Sequence, residues 1–191
     1  SAVIAGLTSA GHNIVDLGIL PTPALQYYCK NHGLYGVMIT ASHNPPQYNG
    51  IKVIDKDGTE IERPSEEKIE GIYHSESFST VKWEDVGRIR YVDDALDQYI
   101  GGVLSKVEVN RIKEKKFRVL VDTGNGAAYF STPMLLERLG CTVVTLNANP
   151  DGRFTSRNAE PKPENLRDLM ALMSTGNFDL GVAHDGDADR V

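Results

Sequence analysis

The second half of the chain alternates between short apolar runs and longer segments whose apolar residues recur at helical spacing. The apolar runs lie at 117–121, 142–146 and 180–183, and the helical segments lie between them at 127–139 and 164–173. Strands joined by helices through short connections are typical of a parallel sheet with right-handed crossovers. Because ligands bind at the carboxyl ends of the strands in such sheets, we expect the functional loops to follow the strands.

The first half carries three further strand-like segments, at 13–17, 36–40 and 51–54. Thr22 and Pro23 predict the start of a helix, with Thr22 as its N-cap and Pro23 at the first helical position. Gly33 predicts the end of that helix. Ser65 is expected to cap a second, charged helix.

A polar, weakly periodic stretch from 74 to 94 separates the two halves. We therefore predict the α/β class, with two tandem α/β domains that have mixed or parallel sheets and helices on both faces. Domain 1 is expected at 1–93 and domain 2 at 94–191.

Three aspartates, Asp185, Asp187 and Asp189, follow the last apolar run at alternating positions. Like charges this close are unfavourable unless a cation offsets them, and carboxylate oxygens suit Mg²⁺, Ca²⁺ or Mn²⁺. A solvated acidic loop is the alternative. An EF-hand is rejected because its sixth position, normally glycine, is Arg190. Arg190 either neutralises the aspartates or binds a phosphate, for which a guanidinium is suited.

The loop at 40–46, Thr-Ala-Ser-His-Asn-Pro-Pro, is the second candidate site. Ser42 and His43 are not expected to form a nucleophile and base, because adjacent side chains usually point apart. With a cation and Lys52 nearby, Ser42 becomes a candidate phosphate carrier, because phosphoserine oxygens can coordinate the metal. A third loop, 122–126, has Gly-x-Gly spacing, but Tyr129 stands where a dinucleotide fingerprint needs glycine, which favours a tight turn.

Charge and cysteine content limit the classes of partner. Lys and Arg number 20 and Asp and Glu 26, for a net charge of −6. This acidic balance, without a basic block, argues against nucleic acid and anionic membrane surfaces as partners. Cys29 and Cys141 lie far apart in the sequence and are expected to be buried thiols, as in a reducing, cytoplasmic setting.

Two motifs together resemble the α-D-phosphohexomutase family. Thr-Ala-Ser-His-Asn-Pro at 40–45, with Asn-Gly-Ile-Lys at 49–52, resembles the active-serine loop of that family, and Asp-Gly-Asp-Ala-Asp-Arg at 185–190 resembles its metal loop. The resemblance covers essentially the whole chain. It implies a four-domain enzyme of which this chain is a fragment, with the later part of domain 1 and most of domain 2, and without domains 3 and 4.

The resemblance also implies roles for individual residues. Ser42 corresponds to the phosphorylated serine, and its phosphoserine oxygen would join Asp185, Asp187 and Asp189 as ligands of Mg²⁺. The residues expected around the transferring phosphate are His43, Lys52 and Arg190. The implied reaction interconverts hexose 1-phosphate and hexose 6-phosphate through a 1,6-bisphosphate. Lys52 would need a lowered pKa to take part in proton transfer.

Several alternatives stay open at this point. Phosphomannomutase or phosphoglucomutase is expected, with phosphoglucosamine mutase of the same family as the alternative. An interpretation from another class is a Mg²⁺-dependent phosphatase with Asp185 as nucleophile. The chain by itself could also be a non-catalytic metal-binding fragment, and we expect no turnover from it alone.

Overall fold

The computed structural model describes all 191 residues. The helices are α1 (Ala2–Ser9), α2 (Thr22–His32), α3 (Arg63–His74), α4 (Ala95–Leu104), α5 (Val109–Lys115), α6 (Ala128–Arg138) and α7 (Arg167–Thr175). The strands are β1 (Ile14–Asp16), β2 (Gly36–Ile39), β3 (Ile51–Ile54), β4 (Ile89–Tyr91), β5 (Arg118–Asp122), β6 (Thr142–Leu146) and β7 (Leu180–Ala183). None of these helices has the length and apolar character required to cross a bilayer.

The second half forms a three-stranded parallel sheet in the order β6-β5-β7. Val119, Leu120 and Val121 of the central strand are at most 1% exposed, because both faces of β5 are covered. β6 and β7 lie on opposite sides of β5, so right-handed crossovers place α6 and α7 on opposite faces. The predicted α/β class, with parallel strands and helices on both faces, is confirmed.

The chain reverses its direction of travel across the sheet at β5, which makes the carboxyl end of β5 a topological switch point. Ligands of open α/β sheets bind at such a point, beside the carboxyl ends of the strands. The loops that follow β5 and β7, 123–126 and 184–190, both emerge at this edge. The topology therefore explains why the acidic loop lies where it does.

The first half contains two separate pairs of strands. β1 pairs with β4 in parallel, and β2 pairs with β3 in antiparallel orientation. Helix α2 packs over this region through Ala24 and Tyr28, which form a buried cluster with Leu20 and with Ala95 of α4. The helix ends as predicted at Gly33, which adopts the left-handed conformation with φ of 62°.

The stretch 74–94 contains a short strand that was not predicted, β4, which pairs with β1 of the first half. Two predictions about helix starts were wrong. Thr22 is the first helical residue and not the N-cap, which is Pro21. Helix α3 begins two residues before Ser65, after Glu62, because Pro64 is compatible with the first helical turn.

Candidate active site

The acidic loop after β7 brings three carboxylates together. Asp185, Asp187 and Asp189 each offer an oxygen within 4.8 Å of the others. Asp187 is only 3% exposed, and its Oδ1 is buried without a hydrogen-bond partner. A buried acceptor is normally satisfied, so this oxygen points to a group that binds there. Hard oxygen donors in this number fit Mg²⁺ or a similar divalent cation.

Asp185 lies at the centre of the site and is fully buried. Its Oδ2 accepts a hydrogen bond from Ser42 Oγ at 3.0 Å, and its Oδ1 accepts one from the Arg190 amide at 3.2 Å. Burial, together with the charge of Asp187, raises the pKa of Asp185 to about 6. The cause is physical: a carboxylate without solvent beside a like charge is harder to ionise.

Ser42 reaches the acidic loop from the first half of the chain, across 143 residues of sequence. It follows β2 in the left-handed conformation, with φ of 52°. Its amide donates to Thr40 Oγ1 at 2.7 Å, which stabilises this uncommon backbone geometry. Gly186 permits the approach of the two loops, because a Cβ at that position would lie 2.5 Å from the Ser42 carbonyl oxygen.

His43 lies closer to Ser42 than the argument from adjacent side chains predicts. Its Nδ1 is 3.4 Å from Ser42 Oγ, a long hydrogen-bond distance. The turn at Ser42 brings the two side chains to the same side, because left-handed backbone does not alternate side chains as a strand does.

Lys52 of β3 is the cation nearest to the aspartates. Its Nζ lies 2.8 Å from Asp189 Oδ2, 3.3 Å from Asp187 Oδ2 and 3.6 Å from Glu60 Oε1. Partial burial lowers the pKa of Lys52, but the hydrogen bond to Asp189 and the charges of both aspartates outweigh burial and raise it above its usual value. The lysine is therefore an ammonium here, which is opposite to the lowered pKa that proton transfer would require.

Arg190 contacts the aspartates only loosely. Its Nε is 4.0 Å from Asp189 Oδ1, and its side chain is 51% exposed. Most of the guanidinium is therefore available to a ligand, which favours the phosphate-binding interpretation over simple neutralisation.

Two residues that support the acidic loop were missed by sequence reasoning. Thr22 donates from Oγ1 to Asp187 Oδ2 at 2.7 Å. Arg157 donates from its guanidinium to Asp122 Oδ2 at 2.8 Å and to the His184 carbonyl at 2.7 Å. The Thr-Pro pair marks the start of a helix, where unpaired amides can bind another loop, and so was a usable signal for Thr22. Nothing in the sequence around Arg157 distinguishes it from a surface arginine.

The 122–126 segment forms the tight turn that the sequence favours. Gly124 and Asn125 both have φ of 58°. The residue after this turn contacts the acidic loop: the Ala127 amide donates to the Gly186 carbonyl at 2.8 Å. Beside Ser42 and Asp187 opens a cleft of about 800 Å³, large enough for a small-molecule substrate.

Comparisons with known proteins identify relatives of the whole chain. Residues 1–80 match the family profile described as phosphoglucomutase/phosphomannomutase α/β/α domain I, and residues 97–191 match the profile for domain II. A phosphoglucosamine/phosphogalactosamine mutase of Sulfurisphaera tokodaii is 45% identical over 99% of this chain. A phosphoglucomutase/phosphomannomutase of Thermococcus kodakarensis is 44% identical over 100% of it. In both cases the chain spans 42% of the relative's length.

Solved structures of the same family are similar in fold to nearly the whole chain. A phosphoglucomutase/phosphomannomutase family protein from Burkholderia thailandensis superposes with a TM-score of 0.81 at 30% identity, covering 97% of this chain and 41% of that one. A protein described as a putative phosphomannomutase from Thermus thermophilus gives a TM-score of 0.82 at 28% identity, covering 95% of this chain and 42% of that one.

Proposed function

The chain belongs to the phosphoglucomutase/phosphomannomutase family, and from this premise we propose that it carries the phosphoryl-transfer centre of a phosphohexomutase. The complete enzyme interconverts hexose 1-phosphate and hexose 6-phosphate. The observation that carries the proposal is the 3.0 Å contact between Ser42 Oγ and Asp185 Oδ2, which joins a candidate nucleophile to the acidic triplet.

Ser42 is the phosphate carrier in this proposal. An oxygen of the bound sugar monophosphate attacks the phosphorus of phosphorylated Ser42, the bond from phosphorus to Ser42 Oγ breaks, and a hexose 1,6-bisphosphate forms. The sugar hydroxyl loses its proton and Ser42 Oγ gains one. After the bisphosphate reorients, Ser42 Oγ attacks the phosphorus of its other phosphate. The bond from that phosphorus to the sugar oxygen breaks, the sugar oxygen takes up a proton as Ser42 loses one, and the product monophosphate leaves with Ser42 phosphorylated again.

Mg²⁺ would be held by Asp185, Asp187 and Asp189, together with an oxygen of phosphorylated Ser42. The orphaned Asp187 Oδ1 and the 4.8 Å span of the three carboxylates support this ligand set. When bound, the cation supplies charge neutralisation next to the phosphoryl group.

The other side chains act on the phosphoryl group by position and charge. Lys52 and Arg190 provide the positive charge that stabilises the transferring group. His43, with its Nδ1 3.4 Å from Ser42 Oγ, is placed to hydrogen-bond that oxygen or to exchange a proton with it. The contacts of Lys52 Nζ with Asp187 and Asp189 place its positive charge beside the proposed cation and phosphoryl group, which supports an electrostatic role.

The geometry disfavours a phosphatase that uses Asp185 as nucleophile. Asp185 is fully buried, so a bulky phosphate ester has less access to its carboxylate than a small cation has. Ser42 is half-buried and borders the cleft, so an incoming phosphate would meet the serine first.

The substrate class is proposed as hexose phosphates. The relatives are named as mutases of phosphoglucosamine, phosphogalactosamine, glucose and mannose phosphates, which share a phosphorylated six-carbon sugar. The proposal includes partners that are sugar phosphates and two further domains of the same protein, since the chain spans 42% of its relatives. The proposed domain boundary at 93/94 falls in the interval between the two profile matches, which cover 1–80 and 97–191.

The two free cysteines support the proposal of a cytoplasmic setting.

Replacement of the serine tests the proposal. We expect Ser42→Ala to abolish mutase turnover in the complete protein and to prevent incorporation of phosphate from a labelled hexose 1,6-bisphosphate. Ser79→Ala replaces an exposed serine outside the site, so it is the matched control and should retain both. In the wild type, the label should resist acid and hydroxylamine but be released by base, as a phosphoserine is. Undiminished turnover in Ser42→Ala, or a hydroxylamine-labile label, would contradict the assignment.

A further inference from the structure

We propose that Thr22 is a positioning residue for the cation site: it fixes the carboxylate of Asp187 so that one oxygen is left for the cation. The inference rests on the proposed function, because it requires the acidic loop to bind a divalent ion. It concerns a residue of the first half of the chain, remote in sequence from the loop that it supports.

Thr22 contacts Asp187 twice. Its side-chain Oγ1 donates to Asp187 Oδ2 at 2.7 Å, and its backbone amide donates to the Asp187 carbonyl at 2.9 Å. Thr22 is 1% exposed and Asp187 is 3% exposed, so both bonds are shielded from water. Two bonds from one residue constrain both the backbone and the side chain of Asp187.

The start of α2 makes this geometry possible. The first amides of a helix have no partner within the helix, and Pro23 has no amide hydrogen to donate. The Thr22 amide is therefore free to bind the Asp187 carbonyl. The helix terminus also carries a partial positive charge, which stabilises a buried carboxylate nearby.

The two carboxylate oxygens of Asp187 differ in their hydrogen-bond partners. Oδ2 accepts from Thr22 Oγ1 and also from Lys52 Nζ at 3.3 Å, whereas Oδ1 is buried without any partner. A hydrogen bond to one oxygen limits rotation of the carboxylate and so sets the direction of the other. Partners of this kind, one step beyond the metal ligands, change metal affinity by roughly 10- to 100-fold when they are removed.

Isosteric replacement isolates the hydroxyl. Thr22→Val keeps the shape and the backbone amide but removes the donor, and we expect the Kd for Mn²⁺, measured by calorimetry on the purified protein, to rise roughly 10- to 100-fold. Thr22→Ser keeps the donor and should restore an affinity close to that of the wild type. Thr8→Val is the matched control, because Thr8 also donates from Oγ1, but to the Ile4 carbonyl within its own helix and away from the acidic loop. It should leave the Mn²⁺ affinity unchanged.

The outcomes separate this inference from the proposed function. If the wild type does not bind Mn²⁺, the cation site itself is wrong. If the wild type binds and Thr22→Val binds equally well, or if Thr22→Ser loses as much affinity as Thr22→Val, the positioning role is wrong. Should Thr22→Val fail to fold, Thr22→Ala replaces it, and Mn²⁺ affinity equal to that of Thr22→Ser would overturn the inference.

Discussion

At the scale of single residues, Asp185 combines three influences that act in different directions. Burial and the charge of Asp187 raise its pKa to about 6, while the hydrogen bonds from the Arg190 amide and Ser42 favour the charged form. Protonated carboxyl groups are poor metal ligands. Protons and a divalent cation must therefore compete for this side chain near pH 6.

We expect the affinity for Mg²⁺ to fall as the pH is lowered through about 6. Above that value Asp185 is a carboxylate and binding displaces no proton, whereas below it binding must release one. The dissociation constant, measured by calorimetry between pH 8 and pH 5, should rise by about tenfold per pH unit on the acid side.

Asp185→Asn is the control for this titration, because an amide at position 185 does not ionise. The variant should bind Mg²⁺ weakly at every pH, with a much flatter pH profile between pH 7 and pH 5. A wild-type affinity that stays constant down to pH 5 would contradict the role of Asp185 as the titrating ligand.

At the scale of elements, the sequence was sufficient where apolar patterning decides the structure. The strands of the central sheet, predicted at 117–121, 142–146 and 180–183, were found within one residue of their observed bounds. Each strand is an apolar run, a signal that a sequence shows directly, and the central strand is buried over four of its five residues. β4 was missed because its three residues are all exposed, and its pairing with β1 depends on a contact across 75 residues.

The residues of the candidate site also fall into those that local sequence identifies and those that depend on distant contacts. Local motifs identified Ser42 and the three aspartates, because unusual residue types at short spacing are visible in one stretch of sequence. Thr22 and Arg157 were not identified, since their roles arise from partners 165 and 35 residues away. Thr22 was interpreted as an N-cap because that is what a threonine before proline does when nothing else competes for its hydroxyl.

The Arg157 side chain connects its own loop to the carboxyl ends of two strands, β5 and β7, and so offers a test of how strongly they are held together. Its guanidinium is 6% exposed and pairs with the buried Asp122 at the end of β5, while it also binds the carbonyl after β7. Arg157→Met should destabilise the fold by about 3–5 kcal/mol, because it leaves Asp122 buried without its partner. Urea denaturation followed by circular dichroism measures the loss.

Two further variants make this experiment specific. Arg153→Met removes an exposed arginine whose pair with Asp151 lies in solvent, and its unfolding midpoint should change little. Adding Asp122→Asn to Arg157→Met should recover part of the lost stability, since the unpaired charge disappears. Equal midpoints for Arg157→Met and Arg153→Met would show that the buried pair does not hold these elements together.

At the scale of the whole molecule, the two halves of the chain meet at the candidate site. Ser42 and Thr22 come from the first half, and the aspartates that they contact come from the second. A ligand that binds only the assembled loops stabilises the folded chain by mass action. Cation binding should therefore be visible in the stability of the entire molecule.

We expect Mg²⁺ at about 100 times its Kd to raise the free energy of unfolding by about 2.7 kcal/mol relative to EDTA. Urea denaturation with Mg²⁺ and with EDTA measures this difference. The double variant Asp185→Asn, Asp187→Asn is the control and should unfold at the same midpoint in both conditions. Identical wild-type curves with Mg²⁺ and with EDTA would refute a cation site that spans the two halves.

Lys52 gives the acidic loop a resident counter-ion. Its ammonium lies 2.8 Å from one aspartate and 3.3 Å from another, so the triplet is not left as bare repelling charge when no divalent ion is present. Loading the site is then an exchange of partners. A lysine that gives up its carboxylates to a divalent ion would be left beside Ser42's acidic partners as an unpaired positive charge, which a negatively charged phosphate could then neutralise.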